Sequence, residues 1–504
     1  MEIGFERLTS TMDMGKLAHV LTYHADEPMI FSSGIFLMLF LGFTFIYMLL
    51  QRRTTARLVF VTLFSYYFYY KSSGLYFLLL AFVTCSDFLI GRAIHKTRKE
   101  NGCRARWLVV TSIAIDLALL GYFKYTNFFG ATWAAIMGGN FQPYDIFLPV
   151  GISFFTFQSL SYTIDIYRGN IKPLGHLLDY AFYVSFFPQL VAGPIVRARD
   201  FVPQIRQPLQ ITNRMMGTGV YLIVIGLFKK AVISDYISLN YVDRIFDNPH
   251  LYSGIENLLG IYGYALQIYC DFSGYSDMAI GIALLLGFHF PMNFNAPYRS
   301  SSVTEFWHRW HISLSTWLKD YLYISLGGNR RGKVRQYINL FLTMLLGGLW
   351  HGASMNFVVW GAMHGMALGV HKFFSQQVLH RDRHCQSKGW RKAGAIVLTF
   401  HFVCFAWIFF RNSTFSGSWT MIGKVFTDFH PELLWTVVAG YKEVFALMLF
   451  GFVSHYLPDS WQDRIIGMLS KCNVVLHALV IAVVAYIVIQ VKSSNIQPFI
   501  YFQF

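Results

Sequence analysis

The sequence predicts an all-α, polytopic membrane protein, with about eleven transmembrane helices plus re-entrant or interfacial pieces around a central cavity. Three observations predict it. Of 504 residues, 55% are hydrophobic, 18% aromatic and only 13% charged, against roughly 25% charged in a soluble domain. No stretch of about a hundred residues lacks a long apolar run, so one bundle accounts for a length that could otherwise hold several domains. The net charge of +15 could suggest nucleic acid, but Lys and Arg gather in short loops at 51–57 (Arg52, Arg53, Arg57), 92–106 (Arg92, Lys96, Arg98, Lys99, Arg104, Arg106), 329–335 and 381–392. That is the positive-inside pattern, which puts these loops on the cytoplasmic face of a cell membrane and lipid, not nucleic acid, around the chain.

Residues 1–28 are polar and mixed in charge, without the basic and then apolar order of a signal peptide, and are expected to be a short extramembranous or interfacial lead-in. Apolar runs follow at 31–50, 58–70 and 75–91, and the flanking charges put residue 31 outside and residue 92 inside. Runs of 17 to 20 residues fit a hydrocarbon core about 30 Å thick, whereas 58–70 needs its aromatic flank or protein around it. Further runs lie at 107–123, 145–167, 178–195, 217–234, 255–270, 278–290, 337–350, 355–372, 394–410, 443–457 and 474–491. The run 178–195 meets Gly193-Pro194 and then Arg197, Arg199 and Arg206, and 337–350 is too short to cross alone. Irregular backbone at membrane depth is tolerated only where protein or a water cavity surrounds it, so both breaks predict a cavity. No internal repeat appears, which weighs against a transporter of two repeated halves. Cys85, Cys103, Cys270, Cys385, Cys404 and Cys472 show neither C-x-x-C nor zinc spacing, so neither disulfides nor a metal cluster is expected.

The chain is organised around residues 302–365. Ser302-Val303-Thr304-Glu305 has the form of a capping box and Gly327-Gly328-Asn329 supplies a stop, predicting one helix over 303–326, about 36 Å long. At 100° per residue, Val303, Phe306, Trp307, Trp310, Leu314, Trp317, Leu318, Tyr321 and Leu322 share one face, and Glu305, Arg309, Thr316, Lys319 and Asp320 lie opposite. Such a helix suits an interface or a re-entrant position with its apolar face on the bundle. His311 falls near the apolar stripe and His308 with the polar set. Beyond it, Leu345-Leu346-Gly347-Gly348-Leu349-Trp350-His351-Gly352-Ala353 puts a histidine inside an apolar, glycine-flanked segment, and an ionisable group at that depth is a functional-site candidate.

A buried imidazole satisfied by a carbonyl is the competing account of His311 and, less so, of His351. The tryptophans serve first as packing and interface anchors, and Arg330-Arg331-Lys333-Arg335 as a topology signal. Other polar marks are Asp271-Phe272-Ser273-Gly274-Tyr275-Ser276-Asp277, Asn293-Phe294-Asn295 and His364. Ser276 or Asp277 is expected to cap a following helix. His364, some 220° from His351 around a continuous helix, is expected to lie elsewhere.

His308 and His311 form an H-x-x-H pair, a weak sign of a metalloenzyme, and no metal site is expected. No nucleophile elbow or phosphate-binding glycine loop is present. A neutral imidazole in a buried site suits general-base work. The reaction that needs little more is acyl transfer from a thioester to a hydroxyl, in a tunnel that keeps water from the thioester. A transporter or flippase relaying protons through its histidines is the reading from another class.

The stretches Phe147-Leu148-Pro149-Val150-Gly151-Ile152-Ser153-Phe154-Phe155-Thr156-Phe157, Asp271 to Gly281, Phe306-Trp307-His308-Arg309-Trp310-His311-Ile312-Ser313-Leu314-Ser315 and Gly347 to Ala353 together resemble the membrane-bound O-acyltransferases. Within them the chain is most similar to the bacterial branch of alginate O-acetylation and teichoic-acid D-alanyl transfer proteins. The likeness covers about residues 29–411, through Phe405-Ala406-Trp407-Ile408-Phe409-Phe410-Arg411, and leaves 412–504 as C-terminal transmembrane helices. It implies a ring of helices around a tunnel, with His351 as the catalytic histidine and His311 as the second polar position lining it. Trp310, Trp350, Asn329 and Asp271 become substrate-binding candidates. The resemblance further implies no bound cofactor, acetyl-CoA or another acyl thioester as donor, and a periplasmic or surface acetyltransferase as partner, with an acyl carrier protein as the alternative donor. One departure is His308, where close relatives commonly carry Arg.

Overall fold

The computed structural model describes residues 19–24, 28–191, 193–380 and 388–491. Most of the 1–28 lead-in, and residues 381–387 of the fourth basic loop, lie outside them. Among the described residues the regular elements are all helical. Counting α-helices of six residues or more, they are Gly34–Leu49 (α1), Thr54–Ser73 (α2), Phe77–Thr97 (α3), Gly102–Leu120 (α4), Thr126–Met137 (α5), Ile152–Arg168 (α6), Leu177–Ser185 (α7), Asn213–Leu227 (α8), Gly254–Leu285 (α9), Val303–Arg309 (α10), Ile312–Trp317 (α11), Lys333–His351 (α12), Met355–Phe373 (α13), Gly389–Arg411 (α14), Phe415–Thr427 (α15), Leu434–Gly440 (α16), Lys442–Ser454 (α17), Asp459–Leu469 (α18) and Val474–Val491 (α19).

By length and composition, four described stretches can cross a membrane: Thr54–Thr97, Gly102–Met137, Asn213–Asp247 and Gly389–Arg411. A fifth arises if Pro431–Gly440 and Lys442–Ser454, bent by 97°, form one span. The expected eleven exceeds this because Gly34–Leu49 and Val474–Ile487 are apolar but short, the runs 58–70 and 75–91 fall in the one stretch Thr54–Thr97, and other helices are short or carry buried polar groups. In α6 these include Gln158, Ser159, Ser161 and Asp165, all buried.

Three expectations change. The runs 255–270 and 278–290 are one helix of 32 residues, α9, started by a Ser253–Glu256 capping box. Asp271 to Asp277 therefore sit mid-helix, and Ser276 and Asp277 cap nothing. The run 337–350 belongs to α12, which starts at Lys333 and has 19 residues. The predicted helix 303–326 is broken between α10 and α11, and Leu318–Tyr323 then continues as a π-helical segment.

The chain forms two compact units, the first from Met1–Phe123, Asp145–Ala192 and Val196–Gln210, the second from Lys124–Tyr144, Gly193–Ile195 and Ile211–Phe504. The second thus holds residues on both sides of position 411. In the first, α7 ends at Ser185, the chain breaks at Phe186, and the single helical turn Phe187–Leu190 beyond it is buried, with the Phe187 N–H donating to Ser65 Oγ at 3.1 Å. That break is surrounded by protein, as its depth requires. The Arg206 guanidinium closes the unit's polar edge on Asp179 in a two-pronged contact of 2.7 and 2.8 Å.

In the second unit α8 packs antiparallel on α9 through facing glycines. A Cβ on Gly274 would lie 2.7 Å from the Gly226 carbonyl oxygen, and one on Gly281 2.7 Å from that of Gly219. Small residues let membrane helices approach closely where burial of apolar surface gives no driving force. Three ion pairs form just beyond the end of α8: Lys229 Nζ to Asp277 at 2.7 Å, and Lys230 Nζ to both Asp271 (2.5 Å) and Asp235 (2.7 Å). Lys230 and Asp271 are 3% exposed, whereas Lys229 and Asp277 are about one-fifth exposed. Removing one member of a fully buried pair strands a charge and costs about 3–5 kcal/mol. Lys230→Met is accordingly expected to lower the unfolding midpoint in detergent well below that of Lys229→Met. Equal losses would show that burial does not set the cost.

Candidate active site

His351 is the last residue of α12, and the chain leaves the helix at Gly352 in an extended conformation. The Phe357 ring occupies the place a side chain on Gly352 would need. A helix end leaves its final carbonyls without intrahelical partners. Here Lys124 Nζ donates to the Trp350 and His351 carbonyls at 2.7 and 2.8 Å, and Tyr125 Oη to that of Leu349 at 2.8 Å. A cation at a helix C-terminus also complements the helix dipole. Lys124 was not singled out from the sequence, although a lone lysine within an apolar run is the signal that marks it. The α12–α13 hairpin closes on glycine, since a Cβ on Gly348 would meet the Gly361 backbone nitrogen at 3.0 Å.

His351 is 3% exposed and His311 fully buried, and their ring centroids are 6.4 Å apart. Trp350, Trp360 and Phe410 wall the His351 ring at 5.0, 5.2 and 5.3 Å, each edge-on. His311 reaches this place because the predicted helix breaks beside it: Trp310 is extended and His311 is left-handed, with φ 44°. The freed backbone pairs with residues 293–295. The Asn295 N–H donates to the Arg309 carbonyl and the Ile312 N–H to the Asn293 carbonyl, both at 2.9 Å. Phe272 of α9 packs edge-on to the His311 ring at 4.6 Å.

His364 also belongs to this neighbourhood, contrary to expectation. The helical arithmetic assumed a continuous helix, but the chain turns at Gly352, Ala353 and Ser354, so α13 folds back along α12. Trp360 then touches both rings, 4.8 Å from His364 and 5.2 Å from His351. Trp307 Nε1 donates to His364 Nδ1 at 3.2 Å.

The other candidates separate. Trp350 lies against both His351 and His311, at 5.0 and 6.4 Å. Trp310 packs on Phe306, Phe294 and Trp407 at 5.0–5.5 Å, in the aromatic layer behind the histidines. Asp271 is engaged by Lys230, next to Phe272. Asn329 is exposed in the turn before α12, and no hydrogen bond or ring contact among the described residues links it to either histidine. His308 is exposed while His311 is buried, so the H-x-x-H pair does not converge.

Apolar helices that can cross a bilayer, with two buried histidines brought together at a helix end and a backbone break, define a membrane-embedded helical enzyme. The model of the membrane-bound O-acyltransferase family matches residues 169–418. The chain is 42% identical over 404 residues to the protein named "Probable alginate O-acetylase AlgI" of Pseudomonas aeruginosa, covering 79% of this chain and 75% of that one. It is 38% identical over 425 residues to a peptidoglycan O-acetyltransferase of Helicobacter pylori (78% and 79% covered). To a teichoic acid D-alanyltransferase of Bacillus subtilis it is 31% identical over 285 residues (54% and 71%). The chain belongs to the membrane-bound O-acyltransferase family and is an acyltransferase.

The clamp on the end of α12 is testable. Hydrogen bonds to charged groups contribute about 1.5–3 kcal/mol, so Lys124→Met is expected to lower the unfolding midpoint in detergent and to reduce acyl transfer with it. Lys124→Arg should recover part of both. An unchanged midpoint would mean that the Trp350 and His351 carbonyls do not rely on Lys124.

Proposed function

We propose that the protein takes an acetyl group from a cytoplasmic thioester, acetyl-CoA or an acyl carrier protein, and delivers it across the cell membrane toward hydroxyls of an exported or surface polysaccharide. The observation that carries this reading is the pairing of the buried His351 and His311 rings at 6.4 Å. The basic loops support a cytoplasmic donor side, since Lys and Arg are retained on that face. Relatives whose names specify alginate and peptidoglycan O-acetylation support acetyl as the group and a polysaccharide as the final acceptor.

In this reading His351 is the general base. It removes the proton of the attacking hydroxyl as the oxygen adds to the thioester carbonyl. The tetrahedral intermediate then expels thiolate, which takes the proton from the imidazolium, so the ester and free thiol leave a neutral His351. His311 orients a reacting group beside it. Trp350, Trp360 and Phe410 exclude water that would hydrolyse the thioester. The first acceptor is a periplasmic or surface acetyltransferase that hands the group on to the polymer. D-alanyl transfer from an acyl carrier protein is the second reading, favoured by the likeness to a teichoic acid D-alanyltransferase.

A positioned base contributes about 10²- to 10⁴-fold. His351→Ala is therefore expected to abolish ester-linked acyl groups on surface glycans, read by mass spectrometry, while protein level in the membrane stays near normal. The lost mass identifies acetyl or D-alanyl. Glycans identical in wild-type, vector and His351→Ala cells would remove the polysaccharide acceptor, and loss of abundance equal to loss of activity would make His351 structural.

A further inference from the structure

Asn293 is 1% exposed and sits where the helix breaks. Its Oδ1 accepts the Ser313 N–H at 3.2 Å and faces His311 Nδ1 at 3.1 Å. A backbone N–H can only donate, so the side-chain atom in that position is the amide oxygen. The Ser313 hydroxyl agrees: it accepts from the Ile195 N–H at 3.0 Å and gives its proton to the same Oδ1 at 2.8 Å. On the other side, Asn293 Nδ2 donates to Ser276 Oγ of α9 at 3.0 Å. An imidazole nitrogen facing an oxygen that has no proton to give must itself carry the proton. The hydrogen bond at one ring nitrogen thus fixes the state of the other. His311 Nε2 is left with its lone pair, and that atom is buried with no hydrogen-bond partner among the described residues.

We infer that Asn293 is a positioning residue, which holds His311 as the Nδ1–H tautomer so that Nε2 presents a lone pair, not an N–H, beside His351. This rests on the acyltransferase reading and narrows it. A lone pair can accept a hydrogen bond from a reacting group and so orient it, whereas stabilising an oxyanion requires an N–H. Oxyanion stabilisation then falls to another donor. His364 has the opposite arrangement, because the indole N–H of Trp307 can only donate. His364 Nδ1 is therefore the acceptor and its Nε2 carries the proton, buried with no partner among the described residues. Two neutral histidines of opposite tautomer flank His351, each set by a neighbour outside the ring pair.

The test is ¹⁵N NMR of histidine-labelled full-length protein in detergent, with His311→Gln to assign the signals, beside steady-state transfer from acetyl-CoA. Wild type is expected to show His311 protonated at Nδ1 only. Asn293→Leu should give a mixture of tautomers and lower kcat by about tenfold, a share of the 10²- to 10⁴-fold that positioned acid–base groups supply, with KM for the thioester little changed. Asn293→Asp keeps an acceptor at the same place and should restore the Nδ1–H tautomer and part of kcat. An Nε2–H tautomer in wild type overturns the inference, as does an unaltered tautomer in Asn293→Leu. Should Asn293→Leu fail to accumulate, the wild-type and Asn293→Asp tautomers decide. Failure of the wild type to consume any acyl thioester would sink the acyltransferase reading, while the NMR result still judges the role of Asn293.

Discussion

Inside a membrane protein every backbone N–H and C=O must find a partner within the protein, because the surrounding hydrocarbon offers none. The site depends on how this constraint is met between Arg309 and Ile312. The chain leaves the helix there, and residues 293–295 take up the freed groups through the Asn295 and Ile312 N–H bonds and the Asn293 amide. Without that second segment the break would strand polar groups at several kcal/mol each. With it, His311 can leave the helical path and turn into the protein.

The same break explains what could and could not be read from the sequence. Apolar runs and basic loops were enough for an all-helical membrane protein, and a histidine in an apolar, glycine-flanked segment was enough to select His351. The combined motifs then pointed to the family. Helical periodicity placed His311 inward, but for the wrong reason: a 100° wheel describes a helix that ends at Arg309. The wheel also placed His364 away from His351, because it carried one helix through Gly352 although the separate runs 337–350 and 355–372 marked a break there, and local sequence does not say that α13 folds back along α12. Non-local pairing, not propensity, decides both points, and Asn293 stood in the sequence only as one polar residue among several.

Hydropathy misjudged α9 for a related reason. Asp271 to Asp277 look like a loop if each polar residue is taken to face water, and the 32-residue helix was divided in two there. In the folded unit those carboxylates face Lys229 and Lys230, while Gly274 and Gly281 bring the α8 backbone close enough for the pairs to form. A helix whose neighbours are protein on most sides reports its partners in its composition, not its depth. The buried polar residues of α6 follow the same rule.

The two histidines are held by different physical means. His351 rides on the end of a regular helix, where Lys124 and Tyr125 satisfy the last carbonyls and glycine contacts set the hairpin spacing. His311 occupies a left-handed backbone conformation, which costs a residue other than glycine about 1–3 kcal/mol. The Asn293 carbonyl, the Asn293 amide and the Asn295 N–H together make several hydrogen bonds across the break, each contributing about 0.5–1.5 kcal/mol, so their sum exceeds the strain. A backbone outlier over-determined in this way persists only where its surroundings insist on it. Since a plain helix through residues 309–312 would have satisfied the same backbone groups without Asn293, the purpose consistent with the strain is the placement of the imidazole beside His351.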